Sequence, residues 1–372
     1  MRILLDYRPA LRQRTGVGEY AHELARALVD TASGHDEQLT LFSASWKDRL
    51  AANVLPGATV IDRRIPNRAL NLAWHRWQWP PVETVAGAGF EIVQTFHPLL
   101  IPTRDAAQLV TIHDLDFLDH PERTAREIRR DYPALAGDHA RRAHHVVTIS
   151  ETTAAAIRDR LQVPADRITV CTPGAPAWAR REREPTNGCL LFLGTLEPRK
   201  NLGVLLDAYE RLRQQRPDAP PLVLAGRASE TAGDILDRTT RAPLAGHVEL
   251  PGYVPADARE ALYQRALIFI MPSHNEGFGM PVLDAMTTGV PVVVANRGAL
   301  PEVAKDAGRF FDPDDATQLA AVLADLVANA NARQTMREAG WQRARAFSWQ
   351  GSAARLRHAW AQAQLNQRSR RG

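Results

Sequence analysis

Short apolar runs alternate with longer stretches of helical periodicity through almost all of this 372-residue chain, and that alternation constrains the fold more than any other feature. Repeated strand–helix units of this kind imply a mostly parallel sheet wrapped by helices. The first unit is easily read. Residues 2–6 form an apolar strand, Gly16-Val17-Gly18 a turn, and residues 19–29 carry Leu24, Ala25 and Leu28 at helical spacing. Further strands are expected at 39–42, 91–95, 109–112, 146–149 and 168–171, with helices at 68–85, 121–142 and 152–161. Near Ala179 the texture changes. Residues 180–188 are charged and then turn-forming, with no apolar period, and read as an interdomain linker. A second alternation follows, with strands at 189–193, 222–225, 247–250, 267–271, 292–295 and 309–311. Its helices are expected at 202–214 and 256–265, with a long helical stretch from 316 to about 346. A separate last helix is expected at 351–365, followed by a frayed Arg-rich tail.

The chain is too long for one ordinary core. The expected architecture is therefore α/β, with two Rossmann-like doubly wound domains facing a cleft. The first spans 1–180 and the second 187–349, with a C-terminal helix at about 350–366 packing back on the first. The two cysteines, Cys171 and Cys189, lie in no CxxC pair and no Cys/His cluster, which argues against a disulfide framework or a structural zinc. The N-terminal apolar run stops at Asp6, too short for a signal core. No stretch approaches the roughly 20 apolar residues that span a bilayer. A cytoplasmic protein is expected. A net charge of +4 permits an anionic partner, such as a ligand diphosphate or a membrane surface, without naming one.

In doubly wound sheets ligands sit beyond the carboxyl ends of the strands. The densest cluster stands at such a place, after the strand at 267–271: Pro272-Ser273-His274-Asn275-Glu276-Gly277-Phe278-Gly279-Met280-Pro281, with Asp284 one turn into the next helix. The backbone amides of Gly277, Phe278, Gly279 and Met280 suit an anion or sugar hydroxyls. Glu276 and Asp284 are carboxylates fit to accept hydrogen bonds from vicinal hydroxyls. After the strand at 189–193 comes Gly194-Thr195-Leu196-Glu197-Pro198-Arg199-Lys200-Asn201. Asn201 reads as an N-cap, and two cations beside a helix start make a diphosphate site. His113-Asp114 follows the strand at 109–112. Ser150, at another strand end, reads as a helix cap. Asp114-Leu115-Asp116 superficially offers a metal-binding pair, but Arg199 and Lys200 already provide positive charge, so no metal is expected. In Trp74-His75-Arg76-Trp77-Gln78-Trp79-Pro80, Trp74 and Trp77 share a helical face and read as core; an acceptor groove or lipid contact is the other reading. The cationic helix carrying Arg126, Arg129, Arg130, Arg141 and Arg142 reads equally as a solvated face or a membrane contact.

Together these segments resemble the retaining glycosyltransferases of family 4, whose two-domain fold is called GT-B, most densely from Gly194 to Pro301. The resemblance implies that Glu276 contacts the transferred sugar and that Arg199 and Lys200 bind the donor diphosphate. It places Asp284 where the family usually has a ribose-binding Glu, so a shorter side chain stands there. Gly226, Tyr253 and Val254 match positions near the nucleotide base. Gly16 and Gly18 match a loop near the donor phosphate and the acceptor, and His113 matches a histidine beside the donor sugar. It further implies a nucleotide-sugar as substrate, no cofactor and no nucleic acid partner. The acceptor would be a saccharide or lipid-linked saccharide, with contact at the inner face of the cytoplasmic membrane left open. Thr111-Ile112-His113-Asp114-Leu115 and the following Pro-led helix look like bacterial mannosyltransferases of O-antigen and exopolysaccharide assembly, which points to GDP-mannose. A sugar-nucleotide epimerase of the same fold, or a silent nucleotide-sugar-binding protein, are the alternatives.

Overall fold

Seven parallel strands form one sheet: β1 (Arg2–Asp6), β2 (Gln38–Ala44), β3 (Thr59–Arg63), β4 (Ile92–Gln94), β5 (Ala107–Ile112), β6 (His145–Thr148) and β7 (Ile168–Val170). Their order is β3-β2-β1-β4-β5-β6-β7. The computed structural model describes every residue except 12, 13, 15, 88, 124, 125 and 372. The chain divides into two units: Met1–Gly174 with Ser348–Gly372, and Ala175–Phe347. The central strands of the first unit are mostly apolar, with Gln94, Gln108 and Thr111 among the exceptions. Ile3, Leu4 and Leu5 of β1 all exclude water, as a parallel strand covered on both faces requires. β3 was not anticipated. It is an edge strand, half exposed, and Val60 and Ile61 are its only apolar residues.

The helix expected at 68–85 breaks into three pieces: Asn67–Leu72, a π turn at Ala73–Trp77, and Val82–Ala86. Pro80 and Pro81 cannot continue a helix. The wider i→i+5 turn also separates Trp74 from Trp77. Trp74 is wholly buried, with Nε1 donating to the Pro80 carbonyl at 2.9 Å, whereas Trp77 is 68% exposed. The shared apolar face is therefore absent, and only Trp74 is core. The helix expected at 121–142 begins as a 3-10 turn, Pro121–Arg123, and continues as Arg126–Arg142. Several of its cations are engaged: Arg130 with Asp131, Arg142 with Asp138, and Arg129 with the carbonyls of Pro121 and Glu122. The side chain of Arg126 lies outside the described ones.

The second unit holds β8 (Cys189–Leu193), β9 (Leu222–Ala225), β10 (Val248–Gly252), β11 (Ala266–Met271), β12 (Val292–Ala295) and β13 (Gly308–Phe311), all parallel, in the order β10-β9-β8-β11-β12-β13. The charged segment 180–188 packs within this unit rather than hanging free. Arg181 is buried and donates to the Gly289 carbonyl, and Arg333 grips Glu184 with Nη2 at 2.8 Å. The long helical stretch is two helices, Ala316–Ala328 and Ala330–Ala344, because Asn329 caps the second by accepting the Ala332 N–H. The last helix, Trp349–Arg371, belongs to the first unit, with Leu356, Ala359 and Trp360 fully buried. Its end is not frayed: Arg370 donates to the carbonyls of Arg142 and Ala143.

Buried histidines give this unit a defined acid sensitivity. Burial pushes the imidazoles of His139 and His145 down to about 4. Nδ1 of His139 also accepts the Leu100 N–H at 2.9 Å, a bond that protonation would remove. The unfolded chain takes these protons near the usual histidine value of about 6.5. Stability is therefore complete above that pH and is lost as pH falls from about 6.5 towards 4. The melting temperature should be flat above pH 7 and fall steadily through this window, less steeply in His139→Asn. A profile flat down to pH 4 would refute this assignment.

Candidate functional site

In the second sheet β8 lies between β9 and β11, so the chain leaves β8 in opposite directions on its two sides. At such a reversal the helices diverge, which makes the carboxyl ends of β8 and β11 the expected ligand position. Both sequence clusters converge on it. After β8 the chain runs through Gly194 into a 3-10 turn, Pro198–Lys200; after β11 it runs through Ser273 to Glu276. Lys200 Nζ and Ser273 Oγ both donate to Glu276 Oε1, each at 2.6 Å. All three side chains are buried. Burial alone would raise the Glu276 pKa. The charges of Lys200 and Arg199 and the two hydrogen bonds outweigh it, so the carboxyl is held below its usual range and stays ionised near neutral pH. Oε1 is thus taken up, and Oε2 is the oxygen left to accept from a ligand. Arg199 has Nη2 3.3 Å from Glu197 Oε1, and its carbonyl accepts the His274 N–H, which ties the two loops together.

Asn201 is not a side-chain N-cap. It adopts the left-handed conformation, φ 54°, between the 3-10 turn and the helix Leu202–Gln215, and its Nδ2 donates to the Pro313 carbonyl. Asparagine tolerates that conformation better than most residues. Gly277 and Phe278 are buried, and the Phe278 ring packs edge-on against Phe347 at 5.4 Å, so the Phe278 side chain belongs to the core and only its backbone bears on the loop. Gly279 precedes the helix Met280–Thr287, on which Met280 and Asp284 are half-buried. Asp284 is near enough to Tyr263 to help burial raise the Tyr263 hydroxyl pKa. Tyr253 and Val254, also half-buried, follow β10. Gly226, φ 142°, is required by crowding: a Cβ there would lie 1.8 Å from the Gly194 carbonyl oxygen. Gly298 was not anticipated. A Cβ there would lie 2.8 Å from the Glu276 backbone, and the next residue, Ala299, donates its N–H to the Glu276 carbonyl. The only sequence signal was a glycine shortly after a buried strand.

Gly16, Gly18 and His113 lie in the first unit. Gly16 precedes the helix Val17–Asp30, and Gly18 packs against the Pro9 carbonyl. His113 follows β5, with its ring edge-on to Tyr20 at 5.3 Å. Nε2 lies 3.2 Å from the Phe96 carbonyl, which assigns the proton to Nε2 and leaves Nδ1 as an acceptor. Burial pushes its pKa down to about 4. His113 is therefore a neutral hydrogen-bonding group near neutral pH. Asp114 accepts the Asp116 N–H at 3.1 Å, a local turn, and Ser150 caps the helix Glu151–Leu161 by accepting the Thr153 N–H. Among the described residues, no three His, Cys, Asp or Glu side chains gather as a metal site, and no helix is long and apolar enough to cross a membrane.

Comparison with known proteins gives consistent matches. The family model described as "Glycosyl transferases group 1" matches residues 177–343, and "Glycosyltransferase Family 4" matches 14–177. O-antigen chain mannosyltransferase B of Escherichia coli is 29% identical, over 94% of this chain and 97% of its own length. A D-inositol 3-phosphate glycosyltransferase of Salinispora tropica is 29% identical over 68% of this chain and 56% of its own length. Among solved structures, sucrose-phosphate synthase from Thermosynechococcus elongatus shares the fold, with a TM-score of 0.78 at 17% identity over 97% of this chain and 98% of that one.

The buried ion pair makes a quantitative expectation. Lys200→Met leaves the buried Glu276 carboxylate with one hydrogen-bond donor, the Ser273 hydroxyl, and the more distant charge of Arg199. Breaking a buried pair on one side costs about 3–5 kcal/mol, whereas removing both charges is often near neutral. Urea unfolding should show a loss on that order for K200M and recovery of most of it in K200M/E276Q. If K200M is as stable as the parent, the pair is screened by water.

Proposed function

Since the chain belongs to glycosyltransferase family 4, we propose that it transfers a sugar, with retention of anomeric configuration, from a nucleotide-sugar to a saccharide or lipid-linked saccharide. The observation that carries this reading is the Lys200–Glu276–Ser273 cluster with Arg199 beside it, at the carboxyl ends of β8 and β11. A departing nucleoside diphosphate develops negative charge, and Arg199 and Lys200 are the groups to stabilise it. The sugar becomes oxocarbenium-like as the bond breaks. Glu276 Oε2 holds it through a hydroxyl. By the family resemblance His113 takes part as well, as a neutral hydrogen-bonding group whose Nδ1 is an acceptor. The acceptor hydroxyl attacks from the leaving-group face and its proton passes to the departing phosphate, so no separate base is needed. With two cations already at the diphosphate, the reaction proceeds without a metal. Mannose from GDP-mannose is the favoured donor, supported by the name of the Escherichia coli relative. The same relative supports a role in cell-surface polysaccharide synthesis. Exposed Trp46, Trp77 and Trp79 favour a peripheral contact with the membrane that carries such acceptors.

Two measurements test this. Thermal unfolding is followed with GDP, UDP, ADP and dTDP in EDTA. A ligand at 100 times its Kd adds about 2.7 kcal/mol of stability, so one diphosphate, GDP by this reading, should raise Tm selectively without metal. No rise with any of the four sinks the donor assignment. His113→Ala should lose most of its turnover with nucleotide affinity unchanged; full activity would remove His113 from the reaction.

A further inference from the structure

The chain that leaves β4 lies between the ends of β1 and β5, because β4 pairs with both. Asp6 closes β1 and His113 follows β5, so residues 95–99 stand between a buried carboxylate and the histidine of the proposed reaction. Arg8 donates to both oxygens of Asp6 at 2.7 Å. Burial would raise the Asp6 pKa; Arg8 and His97 outweigh it, so the carboxyl is held far below its usual range and is ionised. His97 Nδ1 accepts the Leu99 N–H at 3.2 Å, so Nε2 carries the proton and donates to Asp6 Oδ2 at 3.0 Å. The ring is further confined by His75, edge-on at 6.0 Å, whose own nitrogens have no hydrogen-bond partner among the described residues and so do not compete for Asp6.

The main chain around His97 is held as well. Its carbonyl accepts from Thr95 Oγ1 at 2.8 Å, and the Thr95 carbonyl accepts from Thr111 Oγ1 and Gln94 Nε2, each at 2.8 Å. A peptide unit is planar. Fixing Thr95 on one side and His97 on the other therefore fixes the direction of the Phe96 carbonyl between them. That carbonyl accepts the His113 Nε2–H at 3.2 Å. The Phe96 ring packs edge-on against Tyr20 at 6.1 Å, and Tyr20 in turn against His113 at 5.3 Å. These ring contacts place the imidazole but do not choose its tautomer. The hydrogen bond does: a neutral imidazole bonded to a carbonyl keeps its proton on that nitrogen and leaves the other bare.

We infer that His97 is a positioning residue for His113: tied to Asp6, it aims the Phe96 carbonyl that holds the His113 proton on Nε2 and leaves Nδ1 as an acceptor. His97 acts through the peptide bond it shares with Phe96 and needs no contact with the reacting atoms. Its effect on turnover rests on the transferase reading above; its control of the His113 tautomer does not. The test uses the full chain with ¹⁵N-labelled histidine near neutral pH, without nucleotide. Two variants separate the contacts. His97→Asn keeps an acceptor for the Leu99 N–H, as asparagine does in tight turns, but is too short to reach Asp6. His97→Gln keeps a donor long enough for Asp6. In the parent the His113 ring, identified by the resonances missing in His113→Ala, should show one protonated and one bare nitrogen. In His97→Asn the two resonances should move towards each other as the tautomers mix, and in His97→Gln they should stay nearer the parent's. Turnover of GDP-mannose, or of the sugar ester of whichever diphosphate raises Tm, should fall roughly tenfold in His97→Asn at unchanged nucleoside diphosphate affinity, with His97→Gln between. The inference is overturned if His97→Asn leaves the His113 nitrogens or the turnover at the parent's values, or if His97→Gln disturbs them as much. Failure of the transferase reading would appear instead as no stabilisation by any nucleoside diphosphate, with the His113 resonances still responding to His97→Asn.

Discussion

Both sheets place their first strand in the middle and build outward from it in two directions, and the chemistry of the molecule depends on that constraint. Right-handed crossovers put successive helices on opposite faces when the strand order reverses, so the ends of the two strands at the reversal are left without a covering helix. At β8 and β11 the exposed ends are filled by Lys200, Ser273 and Glu276. At β1 and β4 they are filled by Asp6 and His97. The same geometry thus makes two places where polar side chains are buried at low dielectric. Each must then satisfy its charges internally.

They do so differently. In the second unit the carboxylate is kept charged by neighbouring cations, which suits a ligand with its own strong charge. In the first unit Asp6 is clamped by a two-pronged arginine and bonded to His97, and burial keeps the nearby imidazole of His75 uncharged near neutral pH. A neutral ring in such a place interacts by hydrogen-bond direction rather than by Coulomb attraction. The contrast between the two strand ends follows from which side chains the sequence places after each central strand.

The strand alternation, and the clustering of chemistry after β8 and β11, were legible in the sequence because buried parallel strands are continuous apolar runs and glycine-rich strand ends stand out. Glu276, Arg199 and Lys200 were found this way. What escaped was set by local backbone geometry. Asn201 looks like a cap in one dimension and is a left-handed joint in three. The π turn at 73–77 reverses the expected placement of Trp77, and nothing in the spacing distinguishes it from an α-helix. Gly298 supports Glu276 through a contact between loops distant in sequence. His75 was present only as one letter of an aromatic string, because a histidine without partners is defined by what the fold withholds from it.

The return of the last helix to the first unit makes that unit discontinuous in the chain, while the second is a single uninterrupted segment. During synthesis, Ala175–Phe347 can complete its core as soon as it has emerged. Met1–Gly174 cannot. Its surface for Leu356, Ala359 and Trp360 stays open until Trp349–Arg371 has been made, and Arg357 is still missing from its contacts with Glu37 and the Leu28 carbonyl. The half of the protein that is translated first is therefore the half that becomes native last, and it carries an uncovered apolar face past the ribosome for the whole length of its partner.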